Sequence, residues 1–490
     1  MSTPLVRTLY AGLAVLALAG SPSAEALELE DCRISAGPGY PGIKARCGML
    51  SRPENPADPE SPDIELRVAV VPALNLSPDP DPVVPIAGGP GQGSIEFYAA
   101  YRSAFESLRR NRDILLVDQR GTGESATMDC PIDDEAILFE SEFSLEDTIE
   151  FVRECLDELP HDPRYFTTSV AVTDLEAVRE ALGYAALNLY GVSYGSRVAQ
   201  HFARRYPDST RTVIIDGVVP PQIALGPEIA TESQRAVDAI FARCAEDAAC
   251  NERFPDLAAT FKRVVATLRD APVMVEVDHP STGRPQEFRF SAGEMAGAVR
   301  LIAYNPNMSA LLPLLVHEAG LGNYDPLASQ YLLVAISMSD ALAIGMHNSV
   351  MCTEDIPFLD RDAIDYDAIN ASYMGSFQLE ALEEMCKIWP VGPIDDDFKT
   401  PVATSIPFLL LSGDADPITP PRYADMAAVD LGNATHLIGK HQGHGQIAVG
   451  CTSRLAARFV ESASTSSIDA ECLERSFVMP FFLDFSGPAP

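Results

Sequence analysis

Through the first 220 residues, apolar stretches alternate with glycine-rich or polar turns and then with apolar residues at helical spacing. Residues 64–71 alternate apolar and polar and then turn wholly apolar, as a strand entering a sheet does. Further short apolar runs at 83–87, 113–118, 187–190 and 212–216 read as buried strands. Helical periodicity fills 95–110, 145–159 and 173–182, the last with Thr173 as a cap and Asp174 and Glu176 in its first turn. The Gly/Pro-rich stretch from Cys32 to Cys47 reads as a loop, and 51–63 and 77–82 as turns. Strands alternating with helices predict a mainly parallel sheet with helices on both faces.

The pattern changes after Pro220. Residues 221–400 are mostly helix-like, at 231–244, 257–268, 292–304 and 328–344, with strand character only at 273–277 and 287–290. Strand patterns return at 406–413 and 434–438. The expected plan is an α/β core over 27–220 and 401–490, interrupted by an inserted, mostly helical cap over 221–400.

Residues 1–26 do not fit this plan. Arg7 precedes a small-apolar run over 9–20, and Ala24-Glu25-Ala26 offers a small-x-small cleavage site. That is the form of a secretory signal cleaved near Ala24 or Ala26, too short to span a bilayer, and it predicts a periplasmic or secreted protein. All ten cysteines lie beyond it, and an even count in an exported chain points to disulfides. Pairing neighbours in order, Cys32–Cys47, Cys130–Cys155, Cys244–Cys250, Cys352–Cys386 and Cys451–Cys472, closes five local loops and is the preferred of many connectivities. With 70 acidic against 35 basic residues the chain carries a formal charge of −35, a surface that repels phosphate backbones and anionic membranes. Neither nucleic acid nor, once the signal is cleaved, membrane is an expected partner. Composition says nothing about oligomeric state.

The candidate chemistry centres on Gly191-Val192-Ser193-Tyr194-Gly195, between an apolar strand and a helical pattern. Glycines two residues either side of a serine let strand and helix approach around a strained turn that holds the hydroxyl out. The helix N-terminus, with the Tyr194 N–H, then faces an incoming oxyanion. A serine hydroxyl needs a base. His441 and His444, in the loop after the last strand, can supply one, and Asp416, just past a buried strand, can orient it. The order Ser, Asp, His is that of an α/β-hydrolase. No carboxylate or third histidine near His441 and His444 completes a metal site, so no metal and no cofactor are expected.

Gly88-Gly89-Pro90-Gly91-Gln92-Gly93, Asp118-Gln119-Arg120-Gly121-Thr122-Gly123-Glu124-Ser125, the Ser193 turn, Asp416-Pro417-Ile418-Thr419-Pro420 and Gly443-His444-Gly445 occur in order. Together they resemble the prolyl aminopeptidase and tripeptidyl aminopeptidase family of α/β-hydrolases, and the Cys386–Pro390 cluster and Cys451 resemble its exported tripeptidyl branch. The resemblance implies Ser193 as nucleophile, Asp416 as triad acid and His444, rather than His441, as base. It implies Gly89 and Tyr194 as oxyanion-hole donors. Many relatives have histidine before Gly-Gly-Pro, where this chain has Ala87, so any side-chain contribution from that position is absent. Gln119 and Arg120 read as structural braces. In prolyl aminopeptidase relatives cap carboxylates bind the substrate's α-amino group, and Glu354 and Asp355 are the candidates here. The implied activity is release of one or a few residues from short peptides. An esterase or lipase-like hydrolase on the same triad, and a non-catalytic binding protein on the same scaffold, are the alternatives.

Overall fold

The computed structural model describes residues 27–37, 39–130, 144–339, 341–466 and 468–488; the expected signal, 1–26, lies outside the described residues. The main strands are β1 (Glu30–Ile34), β2 (Ile43–Pro53), β3 (Asp63–Val71), β4 (Asp79–Ile86), β5 (Arg112–Val117), β6 (Leu187–Val192), β7 (Thr210–Asp216), the hairpin β8 (Val273–Asp278) and β9 (Pro285–Phe290), β10 (Phe408–Gly413) and β11 (Ala434–Gly439). Nine of them form one sheet in the order β1-β2-β3-β5-β4-β6-β7-β10-β11. From β5 to β11 every pairing is parallel, and β1, β2 and β3 join by antiparallel pairs.

Strand alternation divides the sheet's side chains between two cores. On β5, Leu115 and Val117 face one side, where Val172, Leu175 and Val178 of α3 (Thr168–Leu182) and Val198 and Phe202 of α4 (Tyr194–Arg205) cover them. Ile114 and Leu116 face the other, against Phe97 and Phe105 of α1 (Ser94–Phe105) and Phe459 and Val460 near the C-terminus. Also before β6, α2 (Leu145–Glu158) is tied to Cys130 through Cys155. This is the α/β-hydrolase fold expected from the alternation.

Between β7 and β10 the chain leaves the sheet and builds a second core. The helices between β7 and β10 include α5 (Ile229–Glu246), α6 (Leu257–Asp270), α7 (Ala292–Tyr304), α8 (Leu312–Gly320), α9 (Asp325–Ser339), α10 (Ile344–Val350) and α11 (Phe377–Met385), the first five of them around this core. Phe241, Phe261, Phe288, Phe290 and Val299 pack together there, beside the β8–β9 hairpin.

Three local expectations are corrected. The stretch from Cys32 to Cys47 is the β1–β2 hairpin, with its Gly/Pro residues confined to the tip and Ala45 and Cys47 buried on the sheet side. Helix α3 begins at Thr168, five residues before the expected Thr173 cap; Thr173 Oγ1 instead donates to Val170 O inside the helix. The expected helix over 328–344 is two helices, because Ala343 leaves helical geometry to donate its N–H to Gly91 O at 3.0 Å. All five disulfides join the neighbouring cysteines in order, with Cα–Cα separations from 4.9 to 6.2 Å.

Candidate active site

The parallel strands end together, so the loops after β4, β5, β6, β7, β10 and β11 share one edge of the sheet. In open α/β sheets that edge is where ligands bind. The site is assembled from it.

Ser193 follows β6 with φ 56° and ψ −126°, the strained backbone expected of a strand-to-helix elbow. Its N–H donates to Asp216 O at 2.9 Å, which fastens the elbow to the end of β7. Only glycine fits at 195, where a Cβ would fall 2.3 Å from Ile86 O and 2.4 Å from Ala87 O. The contact brings the N-terminus of α4 against the end of β4. Tyr194 opens α4, among the first-turn N–H groups that have no acceptor within the helix.

The loop after β4 lies directly against the serine: a Cβ on Gly88 would meet Ser193 Cβ at 2.9 Å. Gly89 has φ +106°, a region that favours glycine, and a cis bond to Pro90. The segment before α10 lies over this loop through a bridge between Gln92 and Leu342 and through Ala343 N–H to Gly91 O. Asp118, at the end of β5, accepts from the Ile95 N–H at 2.9 Å and so pins the start of α1.

His444 Nδ1 is 2.7 Å from Asp416 Oδ2. The Asp416 carboxylate is fully buried and also accepts from the N–H groups of Ile418 and Thr419, both at 2.9 Å, and from Thr419 Oγ1 at 2.7 Å. Burial alone would push this carboxyl up, but the His444 charge and these hydrogen bonds outweigh it and hold it below the usual carboxylate range. On His444 the balance runs the other way: burial disfavours the imidazolium, but Asp416, and behind it Asp216, raise its pKa above the ordinary histidine value. The imidazole rests over the chain that leaves β7, for a Cβ on Gly217 would lie 2.8 Å from its Cε1. Tyr304, at the end of α7, accepts the His444 N–H at 2.8 Å and sets its ring edge-on to the imidazole at 5.0 Å. His441 takes a different place, with φ 57° and its N–H on Asp414 Oδ1 at 2.6 Å.

Sequence reasoning missed Asp216. Its buried carboxylate accepts from the Gln446 N–H at 2.8 and 2.7 Å, the Ile447 N–H at 2.9 Å and the Tyr190 hydroxyl at 2.8 Å. One residue therefore holds the serine elbow through its carbonyl and the histidine loop through its side chain. The available signal was an acid ending an apolar strand just before a glycine. Burial raises its pKa to about 6, against the pull of these donors.

Glu354 and Asp355 are not free anions facing a substrate, which corrects the expected amine anchor. Asp355 is fully buried and bidentate to Arg197 at 2.9 and 2.8 Å, and it also accepts from the Leu225 N–H at 2.8 Å. Glu354, also fully buried, accepts from the Thr168 N–H at 2.6 Å and Thr168 Oγ1 at 2.8 Å, so it caps the N-terminus of α3. Thr168 Oγ1 is 2.6 Å from the Tyr194 hydroxyl, which also accepts from Gln119 Nε2 at 2.9 Å. The two acids thus brace α4 from beneath, from a π-helical turn at Met351–Asp355. Arg120 is a brace as expected, fully buried and paired with Asp174 at 2.6 Å.

A serine at a strained turn and an imidazole paired with a buried carboxylate, both on this edge of the sheet, are the groups that nucleophilic attack on a carbonyl requires.

Comparison with known proteins agrees with this geometry. The alpha/beta hydrolase fold family matches residues 81–243, and the TAP-like protein family matches residues 371–472. YuaR of Escherichia coli K12 is 30% identical over 231 residues, which are 44% of this chain and 46% of YuaR. The serine protease Hip1 of Mycobacterium tuberculosis H37Rv is 27% identical over 428 residues, 79% of each chain. Tripeptidyl aminopeptidase of Streptomyces coelicolor is 27% identical over 221 residues, 42% of this chain and 40% of the relative. The chain spans less than half the length of two of these three relatives. Fold, elbow and both matches in chain order lead to one conclusion: the chain has the α/β-hydrolase fold and carries a C-terminal segment similar to the TAP-like protein family.

Proposed function

We propose that the protein is a serine exopeptidase that releases one or a few residues from the N-termini of short peptides. Ser193 Oγ adds to the scissile carbonyl carbon while His444 Nε2 takes its proton. The Gly89 and Tyr194 N–H groups hold the oxyanion, each contributing roughly 3–4 kcal/mol of transition-state stabilisation by comparison with similar sites. Collapse breaks the C–N bond as His444 returns the proton to the leaving amine, leaving an acyl ester on Ser193. Water, deprotonated by His444, then hydrolyses that ester and restores the serine. Asp416 stays ionised, fixing the imidazole's orientation and stabilising the imidazolium.

One observation carries this reading: the 2.7 Å pair between His444 and buried Asp416, set beside the Ser193 elbow in the order Ser, Asp, His. Peptide rather than ester substrates are supported by the likeness to a serine protease and a tripeptidyl aminopeptidase. The helical insertion between β7 and β10 supports the restriction to short chains, because it covers the glycine loop through Leu342 and Ala343 and adjoins His444 through Tyr304. The five disulfides support an oxidising, extracytoplasmic location after removal of 1–26.

The test is a matched pair of chromogenic peptides, one with a free and one with an acetylated N-terminus. Cleavage of the free peptide with kcat/KM at least about tenfold higher is the expected result, since an exopeptidase reads the terminus with binding energy. Equal cleavage of both would replace this reading with an endopeptidase or esterase.

A further inference from the structure

Resting on that reading, we infer that Arg300 is a specificity residue that binds a carboxylate on the departing part of the substrate. Arg300 lies one helical turn before Tyr304 on α7, with its guanidinium 5.8 Å from the Tyr304 ring centre. That ring is 5.0 Å from the His444 imidazole. The two separations keep the guanidinium within about 11 Å of the imidazole, a reach that about three extended residues cover. His444 returns its proton to the departing amine, so a cation within that reach of the imidazole can flank the leaving group.

The guanidinium is poorly matched by the protein itself. Its polar contacts are the Gln378 side-chain oxygen at 3.1 Å and the Tyr304 hydroxyl at 3.4 Å, both neutral, and its Nε is buried without an acceptor. Most of its N–H donors are therefore unused. Among the described residues no carboxylate lies within ion-pair distance of it, although acidic residues outnumber basic ones 70 to 35. Arginines that brace the site's elements are treated otherwise: Arg197 pairs with Asp355, Arg120 with Asp174 and Arg235 with Glu232. Half-buried and unpaired beside a hydrolytic site, a planar fork of donors suits a carboxylate, which it can hold through two parallel bonds. In a chain of net charge −35, this local cation also offsets the general repulsion of acidic peptides. The carboxylate has two possible sources, the C-terminus of a short peptide or an acidic side chain just beyond the scissile bond.

The experiment measures selectivity ratios within each variant, so a general loss of activity or of folded protein cancels. Wild type, Arg300→Gln and Arg300→Lys are assayed on a short peptide acid, on its C-terminal amide, and on an amide with glutamate as the first departing residue. The wild type is expected to favour at least one carboxylate-bearing peptide over the plain amide by about tenfold or more in kcat/KM, chiefly through KM. Arg300→Gln should bring that ratio near one, and Arg300→Lys should restore part of it, since a point charge cannot make the paired bonds. Preference for the peptide acid names the C-terminus as the source; preference for the glutamate peptide names the side chain. A wild-type ratio near one, or a ratio that survives in Arg300→Gln, overturns the inference. Failure of the broader reading has a separate signature, loss of the difference between free and acetylated N-termini.

Discussion

His444 is the residue on which the pH dependence turns. Its folded pKa is raised, because Asp416 and Asp216 stabilise the imidazolium by more than burial destabilises it. Only the neutral ring can accept the serine proton, so activity falls as pH drops through that raised value. The acid limb of kcat/KM is therefore expected above about 6.5, the ordinary histidine midpoint. Asp416→Asn removes the acceptor that fixes the ring and should lower kcat by about four orders of magnitude. An acid limb at or below the ordinary histidine value, or near-wild-type turnover in Asp416→Asn, would contradict this. Much of the residue-level site was legible, because Ser193, Asp416 and His444 stand in short glycine- or proline-bounded motifs whose spacing has a mechanical cause. Glu354 and Asp355 were misread for a physical reason: the sequence shows two acids in a row, but not the buried partners. Arg197, which pairs with Asp355, lies 158 positions away, and Thr168, which uses Glu354, lies 186 away.

At the scale of elements, β7 joins the two halves of the machinery. Its last residue, Asp216, accepts the Ser193 N–H at one end and the Gln446 and Ile447 N–H groups at the other. An asparagine there would turn an NH2 toward donors and leave buried N–H groups unsatisfied, each at a cost of roughly 1–3 kcal/mol. Asp216→Asn should lower kcat by about tenfold or more. It should also move the acid limb to lower pH, because the Asp216 charge is one of the groups that raise the His444 pKa. Unchanged kcat with an unmoved acid limb would remove Asp216 from the positioning role. Element boundaries were legible where apolar period and turn residues agreed, as at β6 and its turn into α4. They were not where a distant partner decided the outcome. Helix α3 starts at Thr168 because Glu354 caps it, and the helix expected through 344 breaks because Ala343 bonds to Gly91.

Across the whole molecule, a parallel sheet carries the reactive loops and a separate helical core stands over them. Cys352–Cys386 closes a sequence separation of 34 beside the π-helical turn that braces α4. On the chain-entropy account a loop of that size stabilises the fold by about 3–4 kcal/mol. The acidic surface and the unpaired Arg300 set up opposite preferences, general repulsion of anionic chains and a local site for one carboxylate. Every step of the proposed reaction runs through Ser193. A fluorophosphonate probe followed by peptide mapping tests that most directly. The adduct is expected on Ser193, with labelling and hydrolysis both lost in Ser193→Ala; an adduct on another serine, or full activity in Ser193→Ala, would contradict the account.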